Sequence, residues 1–243
     1  MRGVSDPLPT PPSERQLGTA AWTDLDATTS DPPVLLVPIG SCEQHGPHLP
    51  LDTDTRVACA IAAEVAARSP GLLVTPPQTV SSSGEHQGFP GTLSIGAAAT
   101  EMLLVELGRS ADWSGGVVFI NGHGGNRAAV DRAVELLAYE GRNILSWWPR
   151  IAGGDAHAGA TETSLMLTIA PELVRVDDVA PGNTVPLSEL LPLLEHGGLR
   201  AVSPRGVLGD PTSASAAAGA DLLEALVADA LRRIAAWRAT LGR

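Results

Sequence analysis

Aromatic residues are scarce in this chain, at 3% of 243 positions. A core built largely without them must come from Ala, Val, Leu and Ile, and the hydrophobic content of 44% is enough for one. Cysteine is scarcer still. Cys42 and Cys59 are too few for a disulfide framework. Basic charge is short as well: 16 basic residues stand against 27 acidic ones, a net charge of −11. An acidic chain with no basic patch argues against nucleic acid or an anionic membrane as partner. No apolar run approaches the roughly 20 residues that cross a bilayer, and the start of the chain lacks the apolar core of a secretory signal. The expected compartment is the cytoplasm. A serine-hydrolase elbow, Gly-x-Ser-x-Gly, is also missing, and Ser81-Ser82-Ser83-Gly84 reads as loop.

What is present is one dense polar stretch over residues 38–54, which holds Cys42, Glu43, His45, His48, Asp52 and Asp54. The apolar run Val34 to Ile39 before it reads as a buried strand. Gly40 is expected to allow a sharp exit, because glycine adopts backbone angles closed to other residues. If the chain stays extended beyond it, Glu43 and His45 point to one side, since strand side chains alternate. A carboxylate and an imidazole aimed at one point suit a divalent metal.

The rest of the chain alternates strand and helix patterns. Residues 1–20 are rich in Pro and read as a mobile leader, followed by a single domain over 21–243. A helix is expected from Asp52 or Thr53 to about Arg68, with Val57, Ile61 and Val65 recurring every four residues. Leu72 to Thr75, Val117 to Ile120 and Ile144 to Trp148 read as further strands. Thr79 to Thr92 reads as a loop holding Glu85 and His86. Further helices are expected around Thr100 to Leu107, Arg127 to Gly141, Thr163 to Ala170 and Gly219 to Leu241. Residues 184–205, rich in Pro and Gly, read as irregular. Such alternation implies an α/β fold, a mostly parallel sheet between two helical layers.

Three polar clusters follow expected strands: Glu43, His45 and Asp54; Asn121 to Asn126 around His123; and Asp155, His157 and Glu162. Loops beyond the carboxyl ends of parallel strands converge on one crevice, so the three clusters are expected to meet. Together they offer more imidazoles and carboxylates than one zinc needs, which fits two metals sharing a carboxylate. Ordinary readings stand beside these. Asp54 and Glu162 also suit the first turn of a helix. His45 and His48 also suit a surface, and the glycine-rich turn at His123 also suits an anion. Cys42 reads as a wall residue and Cys59 as core.

The residues also resemble a known family. Gly40 to Pro50, Glu85-His86-Gln87-Gly88-Phe89-Pro90-Gly91-Thr92, Asn121 to Asn126, His157-Ala158-Gly159 with Glu162-Thr163-Ser164, and Gly209-Asp210-Pro211 are similar to the signature of the creatininase family of metal-dependent amidohydrolases. The similarity runs in consistent order over roughly residues 34–235. Within that family the sequence resembles the branch of creatininase-like peptidases of mycofactocin biosynthesis. The resemblance implies a three-layer α/β/α sandwich and two divalent metal ions (Zn, Fe or Mn). It implies Glu43 and His123 as ligands of one ion, His45 and Glu162 as ligands of the other, and Asp54 as the bridge. Creatininase proper draws a ligand from a glutamate two residues after the second-cluster histidine. Gly125 stands there in this chain, so Glu162 is expected to fill the role, and creatinine becomes a doubtful substrate.

The implied activity is hydrolysis of a C–N amide bond, with a short modified peptide as substrate and a C-terminal fragment as product. For the proton that the leaving amine needs, His157 is the first candidate, with Asp155 and Glu85 next. His86 and His157 are expected to contact substrate. Family members commonly form hexamers, so a homo-oligomer is expected. Two other readings stay open at this point: an amidohydrolase of a small amide of creatinine, formamide or lactam type, and a metal-binding scaffold without turnover.

Overall fold

The computed structural model describes residues 7–26 and 30–241. Four strands form one parallel sheet: β1 (Val34–Ile39), β2 (Leu72–Val74), β3 (Gly116–Asn121) and β4 (Ile144–Trp147), in the order β2-β1-β3-β4. The helices are α1 (Trp22–Asp26), α2 (Thr53–Arg68), α3 (Gly96–Ser110), α4 (Arg127–Tyr139), α5 (Ala160–Ile169), α6 (Leu187–Val202) and α7 (Ala216–Leu241).

Both central strands are buried along their whole length, which is why they read as unbroken apolar runs rather than alternating ones. Their side chains still divide by parity. Val34, Leu36, Val118 and Ile120 face Val57 and Ile61 of α2, Leu165 of α5 and Leu226 and Ile234 of α7. Leu35, Val37, Ile39, Val117 and Phe119 face Leu104 of α3 and Val130 and Leu137 of α4. The result is the expected α/β/α sandwich. Among the described residues, Trp147 and Phe119 are the aromatics in the set of largest fully buried side chains, and Ala, Val, Leu and Ile, with Met166, do most of the remaining packing.

Three local readings change. The segment 184–205 is largely helical, not irregular. Leu187, Leu190, Leu191 and Leu194 recur at helical spacing, while Pro192 and a kink at Gly198 (φ 68°) disguise the helix. Second, α5 starts at Ala160, ahead of the expected Thr163, because Asp155 caps it by accepting from the Ala160 and Thr161 N–H groups at 2.7 and 2.9 Å. Third, Gly40 does not sit in the left-handed region. Its role is described with the site below.

At the N-terminal end, residues 1–6 of the expected leader lie outside the described residues. From Ser13 on, two short 3-10 turns follow, and Gln16 makes a parallel bridge to Val74 at the edge of β2.

Candidate metal centre and active site

The first turn of α2 is driven against the ends of β1 and β3. A Cβ at Gly40 would stand 2.1 Å from Thr55 Oγ1 and 2.3 Å from Thr55 Cα, and one at Gly122 would stand 2.4 Å from the Asp54 carbonyl oxygen. Glycine is therefore needed at both places for close approach. That approach carries Asp54 into the buried space between the loops after β1 and β3. Ser41 Oγ donates to Asp54 Oδ2 at 2.7 Å and fixes the carboxylate.

The two oxygens of Asp54 face different imidazoles. His45 donates from Nδ1 to the Glu43 backbone oxygen at 3.2 Å. Its Nε2 is then aimed at Asp54 Oδ1, 3.1 Å away, with Glu162 Oε2 at 3.8 Å. His123 donates from Nε2 to the Ser82 oxygen at 2.8 Å, and its Nδ1 faces Asp54 Oδ2 at 3.0 Å. Each ring thus anchors one nitrogen on a backbone carbonyl and turns the other toward carboxylates, the arrangement of metal-binding histidines. Glu43 is fully buried, and neither of its oxygens has a hydrogen bond. They lie 3.2 Å from His86 Nε2 and 3.2 Å from His123 Nε2 without hydrogen-bond geometry to either. A buried carboxylate without hydrogen bonds is costly unless a cation compensates it.

Three groups of ligand atoms lie within 4.8 Å of one another among the described residues: Glu43, Asp54 and His123; His45, Asp54 and Glu162; and Glu43, His45 and His157. The first two share Asp54. This mixed oxygen and nitrogen set fits a pair of divalent cations.

The electrostatics agree. Burial alone would push the His45 pKa down, but Asp54, Glu162 and Glu43 lift it to about 10. Burial also opposes charge on His123, yet Glu43 and Asp54 hold it well above the usual imidazole value. Burial would raise Asp54, and His45 with His123 keeps it well below the usual carboxylate range. Glu162 is raised by burial to about 7. The carboxylates thus favour positive charge on the two imidazoles they face.

The other imidazoles behave differently. Burial lowers His86 to about 4 and drives His157 well below its ordinary value, which favours the neutral ring in each. His157 Nδ1 is 4.0 Å from Glu43 Oε1. The residue after it, Ala158, adopts a left-handed φ of 52°, a conformation costly for a side chain, and its N–H donates to Glu162 Oε2 at 2.6 Å.

Beside the carboxylates and imidazoles lies a cavity of about 360 Å³, lined by Glu43, Glu85, His86, His123 and His157 on one side. Its other side is apolar, formed by Leu187, Leu191, Leu194, Leu199 and Leu208. Glu43, Asp54, His123 and Glu162 line this cavity with His86 and His157, and His45 lies buried behind them within reach of Asp54 and Glu162. Glu85 joins them as well, its Oε1 3.5 Å from His123 Nε2. Gly125 makes room for it: a Cβ there would meet Glu85 Oε1 at 2.1 Å and His123 Nε2 at 2.4 Å. Burial raises the Glu85 carboxyl pKa. Asp155 lines a neighbouring cavity of about 270 Å³, and its oxygens are engaged by the start of α5.

Sequence reasoning did not single out Ser41, Gln44 or the leucines of α6. Ser41 and Gln44 flank the ligands in sequence, but nothing in a serine or glutamine announces its partner. The leucines carried a readable helical period. His48 is fully buried, with Nε2 2.9 Å from Thr163 Oγ1, so the surface reading does not hold for it. Cys59 is core, and burial pushes its thiol up to about 12. Cys42 is half-buried at an antiparallel bridge to Leu93.

Comparison with known proteins agrees with this geometry. The profile of the creatininase family, described as creatinine amidohydrolase, matches residues 18–234. The mycofactocin precursor peptide peptidase of Mycobacterium ulcerans (strain Agy99) is 52% identical, over 91% of this chain and 91% of that protein. The creatinine amidohydrolase of Pseudomonas putida is 31% identical, over 89% of this chain and 95% of that protein. Among solved structures, a creatininase variant of Zn-Zn type superposes with a TM-score of 0.73 at 28% identity, over 89% of this chain and 96% of that one. With its parallel sheet, its paired carboxylate and imidazole groups and these likenesses, the chain belongs to the creatininase family.

Proposed function

We propose that this chain is a two-metal hydrolase of C–N amide bonds that trims the C-terminal dipeptide from a modified mycofactocin precursor peptide. The observation that carries the chemistry is the division of Asp54 between two ligand groups, Glu43 with His123 and His45 with Glu162. The peptide substrate is supported by the 52% identity to a protein named mycofactocin precursor peptide peptidase. The leucine wall of the cavity supports it, because creatinine is small and polar and has no use for five leucines.

Glu43, Asp54 and His123 would hold one cation, and His45, Asp54 and Glu162 the other. Such a pair supplies a water made acidic enough to attack at neutral pH and a Lewis acid for the amide carbonyl. The chain's own groups do the rest. Leu187, Leu191 and Leu194 exclude water and bind the apolar part of the substrate. His157 accepts a proton at Nδ1 and returns it to the leaving amine. Glu85, at the edge of the cavity, is the second proton carrier. His86 contacts substrate from the cavity wall. Asp155 acts through α5, which bears Glu162.

Zinc, iron and manganese all suit these ligands. We place the enzyme in the cytoplasm as a homo-oligomer, such as the hexamer of its family, and take residues 21–243 as one hydrolase domain. No helix among the described residues is long and apolar enough to cross a membrane.

The direct test is incubation of the metal-loaded protein with the modified precursor peptide, followed by mass spectrometry. The expected product is the peptide shortened by its last two residues, formed only without chelator. Cleavage that chelator leaves untouched, or an intact peptide beside rapid hydrolysis of creatinine, would overturn the proposal.

A further inference from the structure

Gln44 lies between two metal ligands in sequence and is buried, 6% exposed. Its side-chain amide is bonded on every side. Oε1 accepts from the Gly46 N–H at 2.9 Å. Nε2 lies 3.2 Å from the Gly206 carbonyl oxygen, 3.1 Å from His86 Nδ1 and 3.0 Å from His157 Nε2. The reversed amide would set donor against donor at Gly46 and acceptor against acceptor at Gly206, so its orientation is fixed.

That orientation decides where the ring protons are. The amide has two hydrogens. A third hydrogen is at hand, because His157 Nε2 also lies 2.9 Å from the Gln44 backbone oxygen. Three acceptors compete for the three: His86 Nδ1, Gly206 O and Gln44 O. One assignment serves all of them. The amide donates to His86 Nδ1 and Gly206 O, and His157 donates from Nε2 to Gln44 O. Donating the amide to His157 Nε2 instead leaves the Gln44 carbonyl without a hydrogen from this group, which native interiors avoid, and a proton on His86 Nδ1 sets donor against donor across 3.1 Å.

We infer that Gln44 is a positioning residue that sets the tautomers of both cavity histidines. It holds His86 protonated at Nε2, facing Glu43 Oε1 at 3.2 Å. It leaves His157 protonated at Nε2, with its Nδ1 lone pair turned toward Glu43 Oε1, 4.0 Å away. The backbone is built around this amide. Gly206 has φ +74°, and a Cβ there would stand 1.8 Å from Gln44 Oε1.

The consequence is a division of labour that the sequence does not distinguish. His157 can take a proton at Nδ1. His86 cannot, because its one unprotonated nitrogen is occupied by the Gln44 amide. The inference rests on the reading of this centre as an amide hydrolase only for the use made of that proton.

The test is nitrogen NMR of the zinc-loaded protein labelled with ¹⁵N-histidine, reading the ring nitrogens through long-range proton correlations. The wild-type spectrum is expected to show His86 protonated at Nε2 alone and His157 protonated at Nε2 alone. Gln44→Glu replaces the donor with an acceptor and is expected to move the His86 proton to Nδ1. Gly206→Ala displaces the amide and is expected to turn both rings into tautomer mixtures. A wild-type His86 protonated at Nδ1, or a His86 unchanged in Gln44→Glu, overturns the inference. If either variant fails to fold, the wild-type spectrum still decides. The expected tautomers in a protein that cleaves no amide would sustain the inference and sink the hydrolase reading.

Discussion

Asp54 gives one oxygen to each half of the centre, and its neighbour Ser41 holds it in place at 2.7 Å. Removing that donor leaves all the proposed ligands present but frees the Asp54 carboxylate to rotate. Ser41→Ala is expected to weaken metal binding by about 10–100-fold, the usual effect of losing a hydrogen bond behind a ligand; competition against a chelator of known affinity measures it. His157→Ala acts on the proton instead. It is expected to keep both metals and to lose about 10²–10⁴-fold in turnover. Loss of metal in that variant would make His157 a ligand, as its grouping with Glu43 and His45 allows. The electrostatics of the centre give a pH dependence with a definite sign. In the metal-free protein His45 keeps its proton up to about 10, so below that pH a cation must displace it. Metal uptake is therefore expected to release protons, and affinity is expected to rise with pH by about tenfold per unit for each proton displaced. Calorimetry in two buffers of different ionisation enthalpy reads the proton count. Uptake without release would contradict the assignment of His45.

At the scale of the element, α2, α5 and α6 set the site in three different ways. α2 delivers Asp54 because glycines at 40 and 122 let its first turn approach the strand ends. Gly40→Ala puts a methyl about 2.1–2.4 Å from Thr55 atoms, backbone included, and is expected to lower the unfolding midpoint and the metal content together. α5 presents Glu162 because Asp155 caps it. Asp155→Ala is expected to cost about 1 kcal/mol of stability, with turnover per folded site retained. A loss of about 10²-fold at unchanged stability would instead mark Asp155 as the acid. These elements were unevenly legible. β1 and α2 stood out because a buried apolar run and a four-residue apolar period leave clear traces. α6 did not, because Pro192 and the Gly197-Gly198 pair outweighed a leucine period that was there to be read. The Gly40 contact was illegible because a close approach between distant segments leaves no local mark in sequence.

For the whole molecule, the parallel sheet determines where chemistry can happen. β1, β3 and β4 all end on the same side, and the loops and first helical turns that follow them carry every proposed ligand. This much was readable, since alternation of strands and helices fixes the topology and each cluster follows a strand. Which cluster member meets which was not, because pairings such as His45 with Glu162 depend on loop paths and on the turn at Ala158. The acidic net charge of −11 fits a centre built from carboxylates, though most of that charge lies elsewhere on the surface. Metals held at this centre would also link folding to metal binding. A pair of cations binding only the folded chain stabilises it by mass action, so chelation is expected to lower the unfolding temperature of the wild type and leave Asp54→Ala nearly unmoved.

The most direct test of the bridged centre is elemental analysis of the purified protein beside Asp54→Ala. The account predicts two metal ions per chain in the wild type and the loss of both in the variant, since Asp54 belongs to each ligand group. A wild type that holds one ion or none after metal is supplied, or a variant that still holds two, would contradict it.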